Sequence, residues 1–206
     1  RLTRAAVRDM EDEIFSKIDS FMNIPLHINE VNKGLLEKNI VDIYDIKERE
    51  KFFIGVLNTH GSELYSFSYG TTTGEYYGAR RNEKNIIEIM RNNKETGGNS
   101  WYYYVKDDMT AGKRVVEAGK FDPRTRDWYK KAQNTGKPVF SSIYKHFIMD
   151  DLTVSASVPI YDNSGLLKGV LGSHITLSRI NDYLKEAVED KNALAIIMEK
   201  DSGELI

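Results

Sequence analysis

The stretch FDPRTRDWYKKA, positions 121–132, gathers the side chains best suited to holding a small anion. An Asp-Pro turn leads into a helix start, and Arg126, Trp128 and Tyr129 fall in its first turn. The first turn of a helix has N–H groups without intrahelical partners and carries the positive end of the helix dipole. A guanidinium there adds a planar fork of donors that matches a carboxylate. An indole adds a ring face and a donor, and a phenol adds a hydroxyl, so the three describe one wall of an anion pocket. A purely structural reading also stands: Trp128 as a core anchor, Tyr129 as its half-buried neighbour, and Arg126 laid over apolar surface.

Reaction chemistry is hard to find elsewhere. His27, His60, His146 and His174 show no metal-ligand spacing. The absence of cysteine removes thiol nucleophiles, thiolate metal sites and disulfides together. There is no GxSxG, no GxGxxG and no P-loop; TAGKR at 110–114 carries a Gly-Lys, but Asp107 stands where that loop needs its first glycine. The Asp pairs at 107–108 and 150–151 read as solvated turn residues. The expectation is a binder without catalytic residues, metal or cofactor.

Composition sets the frame around that site. The 206 residues carry 29 basic and 31 acidic side chains, a net charge of −2, which gives no whole-chain field for nucleic acid. No window approaches the roughly 18 consecutive apolar residues of a membrane span. The start at Arg1 and the stop at Ile206 read as cuts in a longer protein.

Periodicity then gives the elements. Residues 1 to about 38 read as a helix with an apolar stripe at Val7, Met10, Ile14, Ile18 and Phe21, resuming at Ile28, Val31 and Leu35. Pro25 is expected to kink or interrupt it. The stripe fits the domain's own core or, in addition, a homodimer seam. A shorter helix is expected near 45–59. Strands follow: SELYSFSYG and GEYYGARR as a hairpin around TTT, then SWYYYVKD and RVVEAG, with NIIEIMR readable as strand or helix. After a helix near 125–134 come PVFSSIYKHFI, LTVSASVPIY and GLLKGVLGSHITL. In the middle one, Leu152, Val154, Ala156, Val158 and Ile160 point one way and Thr153, Ser155 and Ser157 the other, so one face covers a core and the other leaves room. LSRINDYLKEAV is a helix, and ALAIIMEKDSGELI reads as a strand and turn opening a second unit. The fold class is α+β, a long N-terminal helix on a mostly antiparallel sheet.

FDPRTRDWYKKA followed by GKPVFSSIY, SASVPIYDNSGLLKGVLG and LSRINDYL resembles the double-Cache (dCache) sensor family across essentially the whole chain. The order and spacing of the pieces carry the resemblance. It implies a PAS-like (Cache) sheet in an extracellular or periplasmic sensor of a transmembrane receptor, flanked by membrane helices and coupled to a cytoplasmic output such as a diguanylate cyclase, histidine kinase or chemoreceptor module. The division it implies is a helix over 1–40, a membrane-distal ligand-binding domain over 41–187 and the start of a membrane-proximal one over 188–206. In an amino-acid-binding subfamily the matching positions make Arg126 and Trp128 carboxylate contacts, with Tyr129 and Tyr144 lining the pocket. Tyr103 and His146 join the candidate set from neighbouring strands.

Two positions depart from that subfamily: Phe121 stands where a Tyr holds the ligand ammonium, and His174 where an Asp does. A buried ammonium without an acceptor or counter-ion is costly. The expected ligand is therefore a carboxylate or other small organic anion without the amine. His174 reads either as a hydrogen-bonded core histidine or, if it faces the ligand protonated, as a second cation that favours a dianion and a pH-dependent affinity. The alternatives are an amino-acid sensor despite both departures, and a dimerisation or docking module without a small ligand.

Overall fold

The structure, a computed structural model, describes residues 3–189. The strand expected in ALAIIMEKDSGELI, and with it nearly all of the second unit, lies outside the described residues.

The chain opens with α1 (Arg4–Glu37), started by the Thr3 hydroxyl, which accepts from the Ala6 amide. It runs helical through Pro25, which is buried within it, so the expected interruption does not occur. Packing on both sides of the proline holds the helix: Phe21 and Ile28 are each buried against the sheet assembly. The inward face also differs from the apolar stripe. Val31 is 56% exposed, while Asn29, Asn32 and Leu36 are buried. Asn29 can turn inward because both ends of its amide are satisfied: Nδ2 donates to the Ala156 carbonyl and Oδ1 accepts from the Ser173 hydroxyl. α2 (Ile46–Thr59) follows, capped by Asp45, whose side chain accepts from the Glu48 amide.

Nine strands form one antiparallel sheet: β1 (Ser66–Thr71), β2 (Tyr76–Arg81), β3 (Ile87–Asn92), β4 (Asn99–Val105), β5 (Ala111–Lys120), β6 (Val139–Phe140), β7 (Tyr144–Lys145), β8 (Leu152–Tyr161) and β9 (Leu167–Thr176). The order is β5-β4-β3-β2-β1-β9-β8-β6, with β7 also paired to β8. NIIEIMR resolves to strand, and PVFSSIYKHFI is two short strands rather than one. The break between those two is fixed by polar ties: the Ser141 amide donates to the Ser155 carbonyl and the Ser142 amide to the Asp127 carboxylate. Between β5 and β6 lie a 3-10 turn, Pro123–Thr125, and α3 (Asp127–Thr135); α4 (Leu177–Val188) closes the described chain.

The two-residue period of the strands sorts their side chains onto two faces. On one, Phe67, Tyr69, Tyr77, Ala79, Val158, Ile160 and Leu171 pack under α1 and α2. On the other, Tyr76, Met90, Tyr102 and Val170 pack with Trp128, Tyr129 and Ala132 of α3. This second face also carries Ser68, Ser155, Ser157 and Gly172: Ser157 and Gly172 let α3 approach, with Ser157 Oγ donating to the Trp128 carbonyl at 2.8 Å, and beside that contact Ser68 borders an open space. Gly172 is needed there, since a Cβ would stand 2.9 Å from the His174 ring.

Candidate functional site

That space is a cavity of about 40 Å³ between the sheet, the start of α3 and the segment after β7. Its lining includes Arg126, Trp128, Phe121, Tyr144, His146 and His174 from the sequence-derived set. Tyr103 and Tyr129 are corrections. Strand alternation turns Tyr103 toward the α2 face, where the Arg91 guanidinium lies 4.7 Å from its ring; Ser100 and Tyr102 are the β4 residues that line the cavity. Tyr129 follows Trp128 on α3 and so points about 100° away around the helix. It is buried, with its hydroxyl donating to the Thr71 carbonyl at 3.3 Å.

The two arginines of DPRTR have different fates. Arg124 is tied to Asp122, with Nη2 2.7 Å from Oδ2 and Nε 2.9 Å from Oδ1. Arg126 forms no ion pair among the described residues. Its guanidinium carbon lies 4.5 Å from the Phe121 ring centre and 5.5 Å from that of Phe147, and its Nε is buried without a protein partner. Phe121 thus stacks on Tyr76 at 4.8 Å and helps to hold the arginine, a use that a ring without a hydroxyl serves fully.

The cavity floor is a chain of hydrogen bonds across five strands. The Tyr76 hydroxyl donates to Ser68 Oγ at 2.8 Å, and Ser68 Oγ lies 2.6 Å from His174 Nε2. His174 Nδ1 lies 2.6 Å from Ser155 Oγ, which lies 2.7 Å from the Tyr144 hydroxyl. Each hydroxyl has one hydrogen, and a neutral imidazole donates at one nitrogen and accepts at the other. In the tautomer protonated at Nδ1, Ser68 gives its hydrogen to Nε2, Nδ1–H donates to Ser155, and Ser155 can donate to Tyr144, which leaves the Tyr144 hydrogen free at the cavity wall. Burial raises the Tyr144 phenol to about 12, against the smaller lowering effect of Ser155, so it is a neutral donor at physiological pH.

His174 is 2% exposed, and burial, with His146 next, lowers it to about 3. Of the two readings of His174, the ring fixed between two serines is the hydrogen-bonded core histidine, and its burial disfavours the second cation. His146 is lowered to about 4 by burial first and by the Arg80 charge next. Its Nδ1 accepts from the Ile148 and Met149 amides at 3.1 and 3.0 Å, which places the proton on Nε2. The sequence reading missed Arg80, Tyr65, Ser68, Tyr76 and Tyr102. Arg80 shares its β2 face with Tyr76, four residues earlier, a period-two signal visible in YYGARR once the strand is assigned.

A family model described as "Methyl-accepting chemotaxis protein-like, first PDC sensor domain" matches residues 79–182, about half of the chain. No curated protein sequence matches the chain. Solved structures with the same fold include the ligand-binding domain of the Pseudomonas aeruginosa amino acid chemoreceptor PctC in complex with GABA, at 15% identity and TM-score 0.60, covering 96% of this chain and 72% of that one. The ligand-binding domain of the Campylobacter jejuni chemoreceptor Tlp3 in complex with L-valine matches at 14% identity and TM-score 0.56, covering 98% and 70%. The ligand-binding domain of the Pseudomonas fluorescens chemoreceptor CtaA, also with L-valine, matches at 16% identity and TM-score 0.54, covering 87% and 64%.

Proposed function

The chain belongs to the methyl-accepting chemotaxis protein-like first PDC sensor domains, and from that premise we propose that it senses a small organic carboxylate without an α-amino group, outside the cytoplasm, for a membrane receptor. One observation carries the ligand class: among the described residues no Asp or Glu lines the cavity, whereas Arg126 offers donors and the Tyr144 hydroxyl can add one. A ligand carboxylate would find a charged fork and a neutral donor. A ligand ammonium would find no counter-charge, and leaving it buried costs several kcal/mol (on the order of 3–5). The neighbours' amino-acid ligands do not transfer on fold likeness alone.

Signalling requires the ligand to favour one of two conformations. The path from cavity to α1 is short. Ser155 and His174 lie in the cavity floor, and their chain neighbours Ala156 and Ser173 both bond Asn29 of α1 on the opposite face. A shift of β8 against β9 would thus move α1. Homodimerisation through α1, where Phe15 is 73% exposed, fits the same output.

Calorimetric titration against short mono- and dicarboxylates, amino acids and amines tests this reading. Carboxylates are expected to bind and their α-amino counterparts to bind at least about tenfold more weakly, a preference of 1.4 kcal/mol. An amino acid as the tightest ligand would overturn the proposal.

A further inference from the structure

Arg80 sits in the same cavity wall as Arg126, and nothing in the carboxylate reading uses it. It is 5% exposed, and its guanidinium carbon lies 3.8 Å from the centre of the Tyr102 ring. Nη2 donates to Glu88 Oε1 at 3.1 Å across the β2–β3 pair, where the two residues stand directly opposite. Nε and Nη1 are buried and have no protein partner. The Tyr65 hydroxyl, also lining the cavity, lies near this guanidinium without a well-formed hydrogen bond. Buried donors without partners are rare in folded proteins and point to an acceptor that completes them.

The charge balance decides what that acceptor is. Glu88 neutralises Arg80 from outside, since it lines the neighbouring surface groove and not the cavity. His146 and His174 are neutral rings, and the Lys145–Asp150 pair is exposed. Within the cavity Arg126 is thus the cation without a carboxylate among the described residues. A second ligand carboxylate at Arg80 would face Glu88 at close range in a poorly screened site, where like charges repel strongly. A neutral oxygen would accept from Nε, Nη1 or Tyr65 without that repulsion.

We propose that Arg80 is a specificity residue that reads a neutral oxygen on the ligand, so that the preferred ligand is a short hydroxy- or oxo-monocarboxylate rather than a plain fatty acid or a dicarboxylate. The inference rests on the carboxylate reading above. The Glu88 pairing both holds the guanidinium in place and sets its charge preference, so the pair acts as a neutral donor.

The test is a calorimetric comparison of matched acids on the unaltered chain: propionate, lactate, pyruvate and malonate, then butyrate, 3-hydroxybutyrate, acetoacetate and succinate. At least one oxygenated monocarboxylate is expected to bind about tenfold more tightly than its parent acid, and neither dicarboxylate to exceed its parent. In a variant carrying both Arg80→Met and Glu88→Met, which removes the buried pair as a unit, the ratio of oxygenated-acid to parent-acid affinity should fall to about one. Equal binding of parent and oxygenated acids, tightest binding of a dicarboxylate, or a preference that survives in the double variant overturns the proposal. If carboxylates still bind through Arg126 in those cases, the broader reading stands; if no acid binds, both fall. Should the double variant not fold, the comparison on the unaltered chain decides alone.

Discussion

Acidification from pH 6.5 to 4.5 is expected to remove roughly 3–5 kcal/mol of folding stability, well before most carboxylates are protonated. His174 and His146 are held near 3 and 4 in the folded chain, chiefly by burial, against 6.5 when unfolded. Below pH 6.5 the unfolded chain binds protons that the folded one excludes. The contribution is therefore complete above the unfolded value and is lost as pH falls toward the folded values. His174 carries the larger share because it is fully enclosed, whereas His146 is partly exposed. Denaturant midpoints at pH 7, 6, 5 and 4.5 measure the loss, and His174→Gln should roughly halve its slope while lowering stability at neutral pH. A flat profile would mean that the imidazoles reach solvent more readily than the serine clamp allows. With both rings neutral, carboxylate affinity should be constant between pH 6 and 8, contrary to the second-cation reading of His174.

Replacing Arg126 by Ala should lower carboxylate affinity by about 100-fold or more, because two charge-assisted hydrogen bonds of about 1.5–3 kcal/mol each disappear. Arg126→Lys should restore only part, since an ammonium cannot reproduce the fork or the contact of a planar group with the Phe121 and Phe147 rings. Neither change should cost much stability, as Arg126 has no ion pair among the described residues. Arg124→Ala is the control: its guanidinium is occupied by Asp122, and binding should not change. A loss of affinity with Arg124 equal to that with Arg126 would indicate a general surface field rather than a pocket.

The serine face of β8 was legible in sequence because strict alternation from Leu152 to Ile160 admits one assignment of faces, and the structure keeps it from Thr153 onward, with Leu152 exposed at the strand's start. The helix start at Arg126 was legible because Asp-Pro turns and aromatic crowding are local signals. Arg80 was not, since its role depends on Glu88 across a hairpin and on Tyr102 two strands away, none of which spacing along the chain reports. Tyr103 was misassigned for a related reason. In a run of three tyrosines, composition cannot say which one faces inward, and only the register of β4 on β3 decides it. The burial of Asn29 and exposure of Val31 reversed the apolar stripe because two long-range hydrogen bonds outweighed one valine. His174 read from sequence either as a hydrogen-bonded core histidine or as a charge facing the ligand, because spacing along the chain does not report its partners. It became a neutral link once both its nitrogens had partners.

A crystal structure with the tightest-binding acid of the calorimetric panel tests the central claim most directly. The account predicts the ligand in the cavity with its carboxylate within hydrogen-bonding distance of the Arg126 guanidinium and the Tyr144 hydroxyl. A ligand seated outside this cavity, or one whose carboxylate turns away from Arg126, would contradict it.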